Sequence, residues 1–143
     1  MTTPGAVTTR EFVLNDHGNA VALWSEIDSV EICEGDSRDE VAEYLKRNPG
    51  LSRVAEIDGT MVGAVMCGHD GRRGFIYHLA VASKYRGQGV GKLLLDDCVR
   101  GLQRAGLKRA IILVEGQNAG GQKFWLREGW EQIDCAIPMS KEL

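Results

Sequence analysis

Six residues in the second half of the chain, Arg86-Gly87-Gln88-Gly89-Val90-Gly91, have the composition of a loop that holds an anion. Three glycines at alternate positions strip it of side chains, so its backbone N–H groups can approach a bound group closely. The apolar stretch Phe75-Ile76-Tyr77-His78-Leu79-Ala80-Val81 precedes it and reads as a strand. Leu93, Leu94, Leu95, Val99 and Leu102 follow on one broad helical face. The loop therefore meets a helix N-terminus, where unpaired donors and a partial positive charge favour phosphate. Two common phosphate loops fail on identity. A P-loop needs Gly-x-x-x-x-Gly-Lys-Ser/Thr. With Gly91-Lys92 as its end, the first glycine falls on Arg86 and the hydroxyl position holds Leu93. A dinucleotide fingerprint, Gly-x-Gly-x-x-Gly, begun at Gly87 puts Lys92 at its third glycine, and begun at Gly89 it ends on Leu94.

The elements needed to hold such a loop are legible around it. Glu11 to Leu14 reads as a first strand, and Asn15 and Asp16 offer caps to a helix carrying Val21, Leu23, Trp24 and Ile27. Ser37, with Glu40 three residues on, forms a capping box for a second helix with Val41, Tyr44 and Leu45 on its apolar stripe. Asn48-Pro49-Gly50 ends that helix. Arg53 to Ile57, the two-residue turn Asp58-Gly59, Met61 to Cys67, a turn at Asp70-Gly71 and then Phe75 to Val81 make three antiparallel strands. A helix from about Val90 to Ala105 stops at Gly106. Ala110 to Val114 is a buried strand, Ala119 to Arg127 a further helix, and Trp130 to Lys141 one or two more strands broken near Pro138. An antiparallel meander followed by a strand–helix–strand crossover is a mixed α/β sheet with helices on its faces.

A chain of 143 residues suits one domain, expected over residues 10–143, with residues 1–9 as a flexible tail. A hydrophobic content of 43%, a charged content of 26% and a net charge of −3 argue against general nucleic-acid binding. Cys33, Cys67, Cys98 and Cys135 are far apart and, with three scattered histidines, give no metal spacing. They read as reduced, mostly buried thiols of a cytosolic protein. The N-terminus lacks the basic start and apolar run of a signal peptide, and no stretch approaches a membrane span.

The remaining pattern, Arg-x-x-Gly-x-Gly preceded by Leu79-Ala80-Val81-Ala82-Ser83-Lys84-Tyr85, resembles the acyl-CoA pyrophosphate loop of the GNAT N-acetyltransferases. A second signature lies further on: Asn118, a short helix, and Gly129-Trp130 where the family has Gly-Phe or Gly-Tyr opening the next strand. The stretch from Gly68 to Tyr77 also resembles a little-characterised bacterial branch of that family. The likeness runs from about Arg10 to the C-terminus and implies the GNAT acyl-CoA N-acyltransferase fold, with acetyl-CoA as cofactor and an amine of a small molecule or peptide as acceptor. It implies that the backbone of Leu79, Ala80 and Val81 receives the pantetheine arm. Arg86, Gly87, Gln88, Gly89, Val90, Gly91 and Lys92 would hold the pyrophosphate, and Asn118 would bond the cofactor arm, its position also suiting a helix N-cap. Related enzymes are often dimers.

Acetyl transfer to an amine needs a neutral amine, a polarised thioester carbonyl and a leaving thiolate that can be protonated. Many relatives carry a tyrosine seven residues after the asparagine as the acid, and here that position is Trp125, placed against the cofactor or the sheet. An indole N–H donates a hydrogen bond and is no usable acid. The family's basic carboxylate would fall at about Phe75, which cannot act, leaving Tyr77 and Glu115 as candidates for the ammonium proton. His78, on the opposite face by strict alternation, reads as structural. These departures also leave open a non-catalytic acyl-CoA-binding module. Eight acids between Glu26 and Glu43 (Glu26, Asp28, Glu31, Glu34, Asp36, Asp39, Glu40, Glu43) either edge a cleft for a cationic amine or form a solvated helix face.

Overall fold

Apolar side chains on both faces of three consecutive antiparallel strands force helices onto both sides of the sheet. The computed structural model describes residues 5–27 and 29–143. The chain divides into two compact units, residues 1–112 and 113–143, and each is described by itself.

The first unit is a five-stranded sheet in the order β1-β2-β3-β4-β5, formed by β1 (Thr8–Glu11), β2 (Arg53–Ile57), β3 (Thr60–His69), β4 (Gly74–Val81) and β5 (Ala110–Ile112). The first four strands are antiparallel and β5 runs parallel to β4. Helices α1 (His17–Ser25) and α2 (Arg38–Arg47) precede β2, and α3 (Val90–Arg104) makes the crossover from β4 to β5. One face of the sheet buries Val54, Ala64, Met66 and Ala80 against Phe12, Ala20, Leu23 and Trp24 around α1 and Val41 of α2. Glycines open the other face to α3: a Cβ on Gly63 would lie 2.9 Å from Leu94, and one on Gly74 would lie 2.5 Å from Leu102.

Local signals act as their chemistry dictates. Ser37 caps α2, accepting from the Glu40 N–H at 3.2 Å, while the Glu40 side chain reaches back to the Ser37 N–H. Asp58 and Gly59 both take positive φ, 50° and 78°, as a type I′ hairpin turn requires. Gly106, at φ 89°, stops α3 in a Schellman motif, with bonds from its own N–H to Gln103 and from Leu107 to Leu102.

Four expectations are corrected. The first strand spans Thr8–Glu11 and not Glu11–Leu14, because Thr8 and Thr9 pair with Glu56 and Ala55 while Leu14 enters a short 3-10 turn. β5 ends at Ile112, two residues short of Val114, where pairing with β4 stops. No strand forms among residues 130–143: no ladder partner meets them, and Ile133, Ile137 and Met139 stay exposed, so no buried face drives alternation. Cys67 and Cys98 are buried, but Cys33 and Cys135 are exposed.

Asp16 does not cap α1 through its side chain. Its carboxylate instead accepts from both terminal nitrogens of Arg10 at 2.8 Å and from the Val13 N–H at 2.9 Å. The Arg10 guanidinium holds the Asp16 carboxyl below its ordinary range. A depressed carboxyl contributes stability above its unfolded pKa, and that contribution is lost as pH falls through the folded value. Asp16→Asn should therefore cost about 1–3 kcal/mol near neutrality. In urea unfolding the gap from wild type should close progressively as pH falls below about 5 and through the lowered folded value. A gap that persists at the acid end would assign the loss to packing.

In the second unit α4 (Ala119–Arg127) is the only helix among the described residues. No described helix is long and apolar enough to cross a membrane.

Candidate active site

Two features of the first unit meet at the end of β4. β4 pairs with β5 only over Gly74, Phe75 and Ile76, so from Tyr77 onward its outer edge has no ladder partner among the described residues. Beyond Val81 the chain makes a short turn and enters the glycine loop, where Gly87 and Gly89 stand at φ 74° and 83°. Gly89 is the N-cap of α3 and brings no side chain to its first N–H groups. A Cβ on either glycine would meet nothing within 4 Å, so space lies open in front of those donors. Successive N–H groups around left-handed residues at a helix start form an anion-binding concavity. The loop thus fits a pyrophosphate, and the free edge of β4 fits an extended chain added alongside it.

The structure brings Tyr77, Leu79, Ala80, Val81 and the run from Arg86 to Lys92 into this one strand, turn and helix start. Ala80 and Val90 spend their side chains in the core, so only their backbones are available. Arg86 is exposed and its Nε donates to the Val81 carbonyl at 3.4 Å. Lys92 pairs with Asp96 at 3.7 Å. Tyr77 is 44% exposed, stacks on Phe75 at 6.3 Å, and burial raises its phenol. A raised phenol keeps its proton, so the Tyr77 hydroxyl stands as a neutral hydrogen-bond donor.

The other three candidates, Glu115, Asn118 and Trp125, lie in the second unit. Glu115 does not end β5; it is exposed in the turn before α4, and its carbonyl accepts from the Asn118 N–H at 3.0 Å. Asn118 caps α4, its Oδ1 accepting from the Gly121 N–H at 2.9 Å, which occupies the oxygen and leaves the amide Nδ2 as a donor. Gly121 carries no Cβ because the Asn118 side chain fills that place. Trp125 is buried and packs edge-on to Trp130 at 4.9 Å. Gly129, at φ 92°, stops α4 in a second Schellman motif, with Trp130 donating to the Trp125 carbonyl at 3.0 Å. A hydrophobic contact between those two positions accompanies such motifs, so the Gly129-Trp130 pair is a helix stop with Trp125 as its apolar partner.

His78 is corrected by the structure. Ala64 faces Ala80 but Met66 faces Tyr77, so β4 carries one more residue than β3 across this step. That residue makes a bulge, and His78 sits in it at φ 53°. The alternation is broken: the His78 ring reaches Trp24 at 5.0 Å, in the same core cluster as Met66, the cross-strand partner of Tyr77. Its Nε2 lies 3.0 Å from both carboxylate oxygens of Asp36. Histidine is among the few residues enriched in the left-handed region, but no glycine marks the bulge in the sequence.

Among the eight acids from Glu26 to Glu43, Asp28 lies outside the described residues. Asp36 is engaged by His78, Glu40 by the capping box and Glu43 by Lys46 at 3.3 Å. Glu26, Glu31, Glu34 and Asp39 are exposed. Cys33 stands among them, and burial, then Glu34, Asp36 and Glu31, raise its thiol.

The chain is 29% identical to an acetyltransferase of Sodalis glossinidius and 30% identical to one of Pectobacterium atrosepticum, each alignment covering 94% of both proteins. An aminoglycoside N-acetyltransferase solved in complex with CoA superposes with a TM-score of 0.78 over 99% of this chain and 98% of that one, at 18% identity, a likeness of fold. The model of the acetyltransferase (GNAT) family matches residues 19–130. This chain belongs to the GNAT acetyltransferase family and is an N-acetyltransferase that uses acetyl-CoA.

Proposed function

We propose that the chain acetylates a primary amine of a cationic small molecule or of a peptide or protein N-terminus, with β4 and the glycine loop as the acetyl-CoA side of the site. One observation carries this reading: an uncapped helix start behind two left-handed glycines, adjoining a strand edge that is free from Tyr77 onward. Acetyl-CoA supplies an activated acetyl thioester. The N–H groups from Gly87 to Lys92 bind its pyrophosphate, and the backbone of Leu79 and Val81 aligns the pantetheine arm. A β4 backbone N–H, fixed in direction, polarises the thioester carbonyl without reorganising. Tyr77 holds the proton that the departing sulfur takes up. The exposed Glu31, Glu34 and Asp39 favour a cationic acceptor.

Calorimetric titration with acetyl-CoA, with free CoA and a dinucleotide as controls, tests the cofactor side. Micromolar affinity for acetyl-CoA supports it, and no binding overturns it. A thiol-release assay over small diamines, neutral amines and peptides with free N-termini tests the acceptor. Turnover restricted to neutral amines would remove the acidic residues from the reading. A homodimer is the expectation carried over from related enzymes; light scattering giving twice 15.7 kDa would support it, and the single-chain mass would overturn it.

A further inference from the structure

We infer that His78, oriented by Asp36, is the direct acceptor of the ammonium proton, an inference that rests on the acetyltransferase reading and deepens it. A carboxylate only accepts hydrogen bonds, so an Asp36 carboxylate 3.0 Å from Nε2 requires the proton on that nitrogen. In the neutral ring the lone pair is then on Nδ1, while both hydrogen bonds of the ring to described residues are made at Nε2. This is the division of labour of a carboxylate that fixes a tautomer and an imidazole that moves a proton.

Asp36 is itself held from three sides. Its carbonyl accepts from His17 Nε2 at 2.8 Å, its carboxylate accepts from the Cys33 N–H at 3.0 Å, and the same carboxylate holds His78. The imidazole is seated where β4 bulges, at φ 53°, next to the strand edge that β5 leaves open. A left-handed non-glycine residue in a strand is strained and persists where its surroundings over-determine it. Beneath it the Trp24 indole is buried with Nε1 unpartnered among the described residues, an orphan donor within the same cluster. Asp36 meets the His78 ring directly, His17 and Cys33 are held on Asp36 in turn, and Tyr77 stands beside His78 on β4. On this face β3 contributes the apolar side chains of Ala64 and Met66.

In the step itself, a proton passes from the ammonium nitrogen to Nδ1 of His78. The freed nitrogen lone pair forms the N–C bond to the acetyl carbon. The C–S bond breaks as the tetrahedral carbon collapses to the amide. The sulfur leaves with its electron pair and takes up the phenol proton of Tyr77, and the second proton shed by the nitrogen restores Tyr77. The imidazolium returns its proton to solvent. Asp36 is a positioning residue and His78 the catalytic one.

The test is His78→Asn, because asparagine tolerates the left-handed conformation and keeps the bulge while removing the imidazole. kcat should fall by about 10²–10⁴-fold, with acetyl-CoA affinity by calorimetry within about twofold of wild type. The pH dependence of kcat should differ from that of wild type. Asp36→Asn leaves β4 untouched and should lower kcat more than it raises KM. In the free protein, long-range 1H–15N correlation should read the Nε2–H tautomer for His78 and lose it in Asp36→Asn. A His78→Asn protein that binds acetyl-CoA and keeps wild-type kcat and pH profile overturns the proposal and leaves the acetyltransferase reading standing. Should His78→Asn fail to fold, an Asp36→Asn protein with unchanged kcat and tautomer overturns it equally. Loss of acetyl-CoA binding in a folded His78→Asn protein would assign the residue to the cofactor side and also overturn it.

Discussion

Gly89→Glu weakens acetyl-CoA binding by at least about a hundredfold, or about 3 kcal/mol, in a protein that remains folded. The backbone at this position stands at φ 83°, so any L-residue costs roughly 1–2 kcal/mol of conformational strain. Strain is all that stability loses, because the added Cβ meets no atom within 4 Å. Binding loses more. The carboxylate enters the space in front of the first N–H groups of α3, where it repels a pyrophosphate and accepts the hydrogen bonds meant for it. Gly89→Ala separates the two effects, since it carries the same strain with no charge. Calorimetry should give an alanine variant that binds within about tenfold of wild type and a glutamate variant that does not. Equal affinities for the two would remove the pyrophosphate from this loop.

Gly63→Val damages stability and binding together. A Cβ there lies 2.9 Å from the Leu94 Cδ1, 3.1 Å from the Val90 Cγ1 and 3.2 Å from the Ala80 carbonyl oxygen. Leu94 can rotate part of the way, but the Ala80 carbonyl belongs to β4 and cannot. The first turn of α3 must therefore lift from the sheet, at about 1–3 kcal/mol for overpacking of this kind. Since that turn carries the glycine loop, acetyl-CoA affinity should fall with it. Gly18→Ala is the matched control: it lies in α1 with nothing within 4 Å of its added Cβ and should be neutral or slightly stabilising. A Gly63→Val protein with wild-type melting and wild-type affinity would show that α3 does not depend on this close approach.

These two glycines mark how much of the molecule could be read before its fold was known. Gly89 is legible because its neighbours, alternating glycines between a strand and a helix, state a local chemistry. The same holds for the Ser37–Glu40 box, the Asp58-Gly59 turn and the Gly106 stop, each decided within a few residues. Gly63 carries no such signal, since its reason is a helix thirty residues further on. Asp16 resembles a helix cap in sequence, yet its stronger partner is Arg10, outside the helix. His78 was hidden by the regularity around it. Period-two reasoning assigns it to the wrong face, because a one-residue excess on β4 relative to β3 appears only when the strands are paired. The terminal segment from Trp130 misleads for a related reason: alternating apolar residues propose a strand, but a strand requires a neighbour.

Cys67 on β3 and Cys98 on α3 are both wholly buried, and the Cys98 thiol is pushed far up by its hydrogen bond with Cys67 and by burial. Neither is a nucleophile while helix and strand are closed. An alkylating reagent can reach them only when α3 parts from the sheet, so the rate of their modification is a clock for that opening. Cys33 and Cys135, accessible throughout, react first and set the zero of the count. A ligand gripping the start of α3 slows this clock in proportion to how tightly it binds, so the protein reports occupancy of its loop through two atoms that never touch the ligand.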